Sequence, residues 1–575
     1  MKEILRMRRF FAILLSFILI LSLSACEPNK SSNLCINSLI SDSFIDPLNG
    51  WKVYDDLIND IKAETDPSKR VELMHKAEDI LMASGCVIPL YYQNDVYMCN
   101  SSVKNVYSNS LGYKYFCNCY FSNSETTLKL NLAGEPIDID PAFCITMDSG
   151  TLDVNLFSGL YTIDKNGNTI PDLATGYTVS EPKEDGTVDV TVKMLKNLKW
   201  SNGSQLTAKD FEYSWKRAAK EETGSYNFSI FSIFAGFPDD IIVTATSDDT
   251  LEFTLNSPCP YIESLFAHPA FFPVHKPSVE NYDSSVEWCS NAGFVSNGPF
   301  ICTGWEHNES MTFEKNPYYY KESDIKLGKL EFTLSEQAKT VYKQYKSGEL
   351  DFIDNIPDDL ICSLSSNMDF YTVNILGTNY LSFNAKSDLF KNKTAKESAC
   401  MRLAFNMLID RKYIKESVGK RQQFLANSLI PIGIKDGNGG IFKATSQDNA
   451  YFDVSAINNS PDKTFEKARK YLVAAGFKFD ECGKLSKETP IVIKYLTDDN
   501  SDNAAIAEII KADFNELGIN VVIDKLSWSA FIDARMNGDF DIARAGFITD
   551  INDPLHILEF FTTDSSANYC RFGNN

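Results

Sequence analysis

Phe540-Asp541-Ile542-Ala543-Arg544-Ala545-Gly546-Phe547-Ile548-Thr549-Asp550-Ile551-Asn552-Asp553-Pro554 begins as an apolar run and ends in a polar turn. Phe540–Ala545 reads as a buried strand, and Asp553-Pro554 as a turn or helix start. Reading back from it, Ser529–Met536 has helical spacing, Ile519–Ile523 reads as a strand, and Ala504–Leu517 as a helix ended by Gly518. Ile491–Leu496 is another strand, and Phe465–Ala475 another helix closed by Gly476. Glycine suits the left-handed position that ends a helix. Alternating helices and strands with short loops predict an α/β layer, its parallel or mixed sheet covered on both faces.

Further upstream the pattern mixes strands and short helices. Tyr380–Asn384 reads as a strand and Ser398–Leu408 as a helix. Ala338–Ser347 is a helix closed by Gly348, Ile241–Leu255 gives two strands about Asp248-Asp249, and Thr207 caps a helix to Ala219. Thr187–Met194 and Thr126–Ala133 alternate as strands do. Before them, Asp55–Met82 has two helices split at Asp66-Pro67, followed by strands at Val87–Tyr92 and Tyr113–Phe121. A chain of 575 residues exceeds what one core usually holds, so at least two lobes are expected.

The formal net charge of −22 argues against a nucleic-acid partner, which needs a basic surface. At the N-terminus, Lys2, Arg6, Arg8 and Arg9 precede an apolar run from Phe10 to Leu23, too short to span a bilayer as a helix. The run fits a signal-peptide core. Leu23-Ser24-Ala25-Cys26 then matches a bacterial lipoprotein signal, in which Cys26 carries the acyl chains. Two acyl chains suffice for stable anchoring. Residues 1–25 are read as the signal and 26–46, rich in Ser and Asn, as a flexible tether. The remaining cysteines show no framework spacing and read mostly as small buried apolar residues. Five histidines stand at no metal-ligand spacing, and Asp498-x-Asn500-x-Asp502 fails as a calcium loop, because Asn503 stands where Gly is required and Ile509 at the twelfth position. No phosphate loop, nucleophile elbow or HExxH motif is present, so no catalysis and no cofactor are expected.

Five stretches, taken together, carry a family likeness. They are Gly159-Leu160-Tyr161-Thr162-Ile163-Asp164 with Pro171-Asp172-Leu173-Ala174; Lys199-Trp200-Ser201-Asn202-Gly203 with Leu206-Thr207-Ala208-Lys209-Asp210-Phe211 and Ser214-Trp215-Lys216-Arg217; Ser296-Asn297-Gly298-Pro299-Phe300 with Lys315-Asn316-Pro317-Tyr318-Tyr319; Gly348-Glu349-Leu350-Asp351; and Asp533-x-Arg535 through Asp553-Pro554. The chain resembles the extracytoplasmic solute-binding proteins of ABC transporters, oligopeptide/dipeptide-binding family 5. The order departs from that family: the segment resembling its C-terminal part stands at residues ~52–121, and nothing resembling it follows Asn575. The resemblance therefore implies a two-lobed α/β periplasmic-binding-protein-like fold of the large, three-subdomain type, with a hinge, circularly permuted. Permutation is tolerated where domain termini lie close together. The implied division is 47–92 in the second lobe, 93–121 returning to the first, 122–377 in the first lobe with an inserted subdomain at ~166–260, and 378–575 in the second lobe.

The same resemblance implies the site. Asp550 matches the carboxylate that holds a peptide's ammonium, and its structural alternative is capping ahead of Asp553-Pro554. Arg544 matches the cation that meets the ligand carboxylate, bidentate where geometry allows; its alternative is a salt bridge within the lobe. Arg535 is a second candidate cation. Gly546 lets a ligand backbone approach, so that the peptide pairs like an added strand. Trp528 and Phe547 match pocket-lining positions and are equally compatible with core. Tyr380 and Tyr226 are weaker candidates, and Tyr91 or Tyr92 is expected at the crossing between the lobes. The implied partners are a peptide, an ABC permease and, through Cys26, the membrane, with the protein a monomer. The other readings are the same fold holding a dipeptide, nickel, haem or oligosaccharide; a surface lipoprotein of adhesion or signalling; an inactive product of gene rearrangement; and, least supported, an extracellular hydrolase.

Overall fold

The computed structural model of the chain describes residues 36 and 38–574, apart from 137–138, 283–286 and 419–422. The lipoprotein signal and Cys26 lie outside the described residues. One ten-stranded sheet runs through the molecule, in the order Phe300–Glu306, Ser310–Lys315, Lys329–Leu334, Thr127–Leu132, Phe352–Ile353, Val87–Cys99, Phe370–Phe383, Ile542–Ile548, Val492–Asp498 and Asn520–Leu526. At one end Val492–Asp498 lies parallel to both Asn520–Leu526 and Ile542–Ile548, the α/β layer expected from the helix–strand alternation. At the other, Thr127–Leu132 lies parallel to Lys329–Leu334. The two long antiparallel strands Val87–Cys99 and Phe370–Phe383 join the two halves.

Both crossing strands are longer than the sequence pattern suggested. The sequence pattern marked only Val87–Tyr92 and Tyr380–Asn384. Between Tyr92 and the apolar, buried Val96–Cys99 the ladder runs through a short polar stretch, pairing Asn94 with Asn374 and Asp95 with Val373. Tyr113–Phe121, expected as one strand, forms only two short pairings, Lys114–Tyr115 and Tyr120–Phe121.

Three main apolar clusters follow this layout. One gathers residues from Ile36–Leu90 and Leu376–Phe572. A second joins Tyr97–Phe157 to Phe272–Phe352. A third covers the four-stranded sheet of Ala174–Val179, Val188–Met194, Val243–Ser247 and Thr250–Leu255 with the Ala208–Ala218 helix, whose Thr207 forms a capping box with Asp210. Ile551 from the C-terminal half is buried in that third cluster, and Tyr261 packs against both it and the first, so the halves touch there.

The N-terminal helices pack on the C-terminal residues. Asp66 caps Pro67–Ala83 by accepting from the amides of Ser68 and Lys69. In the preceding helix, Lys52–Ala63, the Tyr54 hydroxyl donates to the Leu558 carbonyl at 2.9 Å. Trp51, fully buried, donates its indole N–H to the Phe561 carbonyl at 2.8 Å and stacks on Phe572 with ring centres 3.8 Å apart. Arg70 grips Asp553 with two bonds of 2.9 and 2.8 Å, both side chains buried. The Gly573 amide donates to the Pro47 carbonyl at 2.9 Å.

The expected tether is shorter than read. Ile36 and Ile40 are buried, and Leu39, Phe44 and Ile45 pack on the same cluster. Apolar residues spaced through this Ser/Asn-rich stretch seat it on that cluster well before residue 46. The cysteines behave as small apolar groups in the main, with eight of the twelve described ones buried.

Glu78 is fully buried; it accepts from the Ile430 amide at 3.0 Å, while its second oxygen has no hydrogen-bond partner. Burial pushes its carboxyl up to about 7. A carboxyl raised on folding binds more protons in the native state, so it lowers stability as pH rises from the unfolded value to the folded one. Unfolding midpoints in urea are expected to fall between pH 5 and pH 8. Glu78→Gln is expected to flatten that slope and to stabilise the protein at pH 8 by the order of 2 kcal/mol. Parallel pH curves for both proteins would remove Glu78 as the cause.

Candidate functional site

The Ile542–Ile548 strand has two unlike faces. Ala543 and Ala545 are buried, whereas Gly546 and Ile548 are exposed and Arg544 half-buried. Side chains alternate across a strand, so Arg544, Gly546 and Ile548 share the open face. Gly546 pairs with Asn379. A Cβ there would meet the Thr378 carbonyl at 3.5 Å, an ordinary contact. Packing within the sheet therefore does not require glycine, and the open face is free for another backbone.

Arg544 is held on three sides. Its Nε donates to Asp498 Oδ2 at 2.7 Å. Its guanidinium lies 5.3 Å from the ring centres of both Trp528 and Phe531. Asp498 also accepts from Asn503 Nδ2 at 2.9 and 3.1 Å and from the Asn500 amide at 3.1 Å. The salt bridge within the lobe is thus present, and among the described residues the Nη edge has no hydrogen-bond partner. Tyr91 lies close enough to feel this charge: burial chiefly, with Asp502, raises its phenol to about 12, while Arg544 opposes the rise.

Just past the strand end, the Thr549 amide donates to the Leu376 carbonyl at 2.8 Å, and the Leu376 amide to the Ser110 carbonyl at 2.9 Å. These bonds set Asp550 against the 109–113 turn of the other half. The turn needs Gly112 at φ +87°, and Tyr113 lies against Gly150, where a Cβ would collide with its ring. Burial pushes the Asp550 carboxyl up to about 6. Among the described residues it has no hydrogen-bond or ion-pair partner, so it does not act as the cap considered as its alternative. Asp553 does the capping, accepting from the Leu555 amide at 2.9 Å. The Tyr113 phenol is raised by burial first, then by Cys144 and Asp550, so Asp550 lies near the Tyr113 ring. Asp550 and Arg544 are six residues apart, along strand as far as Ile548 and then a bend, so at most roughly 20 Å.

Other candidates are placed differently. Trp528 is 56% exposed and flanks Arg544. Phe547 is half-buried, its ring centre 6.2 Å from Tyr380 and 5.9 Å from Phe560. Tyr380 is no pocket residue: only 3% exposed, it packs in the second-lobe core against Phe561, because its strand turns that face inward. Arg535 is not an exposed second cation, although among the described residues its Nε has no hydrogen-bond partner. It is buried, its guanidinium 3.8 Å from the Tyr569 ring centre, and burial lowers its pKa. Tyr226 stands exposed beside Phe143, its ring edge-on with centres 5.4 Å apart. The residues sequence reasoning missed are Asp498 and Tyr113. Asp498 belonged to the discarded calcium-loop pattern, whose spacing serves instead to cap the Ser501–Asn515 helix through Asn500 and to grip Arg544. No local pattern singled out Tyr113.

The model of bacterial extracellular solute-binding proteins, family 5 Middle, matches residues 168–569. The chain belongs to this family. It is 29% identical over 466 residues to the oligopeptide-binding protein OppA of Bacillus subtilis, covering 78% of this chain and 79% of that one. To the periplasmic oligopeptide-binding protein OppA of Salmonella typhimurium it is 30% identical over 460 residues, with 78% and 79% covered. Among solved structures, the Escherichia coli murein tripeptide-binding protein MppA superposes with a TM-score of 0.57 at 26% identity, over 78% of this chain and 84% of that one. Haemophilus influenzae OppA in complex with RPPGFSPFR superposes with a TM-score of 0.55 at 25% identity, over 78% and 85%. The mixed α/β architecture is that of the two-lobed family 5 fold.

Proposed function

We propose that this family 5 protein is a lipid-anchored extracytoplasmic receptor that captures oligopeptides between its lobes and delivers them to an ABC permease. The observation that carries this reading is Asp550, a half-buried carboxylate, unpartnered among the described residues and set near Tyr113. Such a group calls for a cation, and a peptide ammonium is one. Arg544, with its Nη edge open, stands at most roughly 20 Å away, the span of about five or six extended residues. Between them the open edge at Gly546 leaves room for ligand backbone, whose polar groups would otherwise cost about 1–3 kcal/mol each when stranded. Closure would be driven by contacts that only the closed state makes. The protein acts as a monomer and catalyses nothing itself.

The order of the chain is read as a circular permutation. Residues 47–92 would supply the end of the second lobe and 93–121 the return to the first. Residues 122–377 would form the first lobe, with an insertion at ~166–260, and 378–575 the rest of the second. Two observations support this. The Trp51, Tyr54 and Arg70 contacts tie the N-terminal segment to residues 553–572. The matches to relatives leave about a fifth of both chains uncovered, as a collinear match does when one segment stands at opposite ends. Cys26 would anchor the protein, and radiolabelled palmitate incorporation lost in Cys26→Ser tests that point.

The deciding experiment is mass spectrometry of small molecules released on denaturing the purified protein. A ladder of short peptides is expected; a single non-peptide ligand would overturn the assignment. Arg544→Lys, which keeps the charge but loses the planar fork, is expected to weaken peptides with a free C-terminal carboxylate by roughly tenfold. C-terminally amidated peptides are expected to bind both proteins alike. Calorimetry on the matched pair reads the difference, and equal losses for both peptides would remove Arg544 from the carboxylate site.

A further inference from the structure

A cavity of about 380 Å3 is lined by Met82 and residues between 403 and 471, and neither Asp550 nor Arg544 is on its wall. Its wall includes Arg411, Lys463, Lys467, Asn406, Ser460 and Tyr471. Arg411 is 3% exposed. Its Nε donates to the Pro89 carbonyl at 2.7 Å, Nη1 to the Asn406 carbonyl at 3.1 Å, and Nη2 to Asn406 Oδ1. Phe452 covers one face, its ring centre 4.6 Å from the guanidinium. Among the described residues no carboxylate forms an ion pair with it. Asp513 acts on it from further off, and burial lowers its pKa to about 9. Buried charges in proteins are normally paired, because removing a lone ion from water costs several kcal/mol.

The other lining groups share that sign. Lys463 and Lys467 stand one turn apart on the helix Pro461–Ala474, the spacing that puts both on one face. The helix begins at the cavity, and Ser460 offers its first-turn amides no side-chain cap, leaving the positive end of the helix dipole uncovered. The one carboxylate on the wall, Asp453, is taken up by the Ser455 amide at 2.9 Å and hydroxyl at 2.7 Å. In a chain of net charge −22, a buried guanidinium, two lysines and a helix start around one cavity form a local positive site.

We infer that this cavity binds a phosphate group, held by Arg411, Lys463, Lys467 and the amides that open the Pro461–Ala474 helix. Two sources present that chemistry: a soluble phosphomonoester and the headgroup of an anionic membrane lipid. The cavity lies at the foot of the N-terminal segment, since Tyr471 on its wall donates its hydroxyl to the Leu39 carbonyl at 3.2 Å. Cys26 stands ten positions before Ile36, at most about 35 Å of extended chain. The lipid source therefore rests on the lipid-anchor reading; the phosphate site does not.

The test titrates the full chain, in uncharged detergent at matched ionic strength, with inorganic phosphate, glycerol 1-phosphate and soluble dihexanoylphosphatidylglycerol. Affinity is read from the thermal midpoint and by calorimetry. Saturable binding of at least one probe is expected, weakened roughly tenfold in Lys463→Gln/Lys467→Gln. These two side chains are exposed, so the variant folds, and its peptide affinity should equal the wild type's. That control separates failure of this site from failure of the peptide assignment. Tighter binding of the lipid than of glycerol 1-phosphate assigns the headgroup as source, and the reverse assigns a soluble phosphate. Binding of none of the three, or binding that the double variant leaves unchanged, overturns the proposal.

Discussion

Arg70→Met is expected to destabilise the protein by about 3–5 kcal/mol, the usual result of removing one partner from a buried ion pair. Asp553 would be left behind in a site where both side chains are now withdrawn from water. Its oxygens would lose the two guanidinium bonds and keep only the Leu555 amide. Arg70→Met/Asp553→Leu is expected to recover most of the loss, because an apolar pair of similar volume avoids the stranded charge. Urea unfolding of the wild type, both single variants and the double variant measures the coupling as a cycle. The pair joins positions 483 residues apart in sequence, so a large coupling also establishes in solution that the N-terminal helices dock on the C-terminal residues. Additive losses would refute that docking.

Asp550→Asn should have the largest effect on binding. If Asp550 holds the peptide ammonium, its loss leaves a buried charge unpaired and costs about 2–5 kcal/mol, roughly thirtyfold to several thousandfold in affinity. An N-acetylated peptide, which brings no ammonium, is expected to bind both proteins equally weakly. The pH dependence has a definite sign. Asp550's carboxyl stands at about 6 in the free protein, and the ammonium needs its ionised form. Affinity should be level near pH 7 and fall towards tenfold per unit well below pH 6 as protons compete. Above about pH 8 deprotonation of the peptide amine weakens binding again. Asp550→Asn should abolish the acid slope. Calorimetry between pH 5 and pH 9 separates these cases, and an acid slope retained in the variant would assign it to another group.

Local pattern made much of the second lobe legible. Gly476, Gly518 and Gly538 end helices at positive φ, and the strands after Gly518 and Gly538 enter the sheet in parallel register. Thr207 and Asp66 cap where capping chemistry places them. The candidate site was proposed only through the likeness of motifs. Among the described residues Asp550 stands unpartnered, and Arg544 keeps an open edge despite the salt bridge that was its alternative. Tyr380 and Arg535 could not be sorted from chain pattern, since an aromatic or a cation on an amphipathic element reads alike whether it faces ligand or core. Neighbours remote in sequence, Phe561 for one and Tyr569 for the other, decide that.

Composition, periodicity and turn chemistry were enough for the α/β class and for the helix–strand order beyond Pro461. They act over a few residues, so a sequence displays them wherever the segment stands in the chain. Only the tertiary structure decided what covers Asp550, which edge of Arg544 is left open, and that Val87–Cys99 and Phe370–Phe383 continue as strands through the polar stretch at Asn94 and Asn374. Each of these depends on partners brought together across hundreds of residues, where burial and hydrogen-bond pairing, rather than local preference, set the free energy.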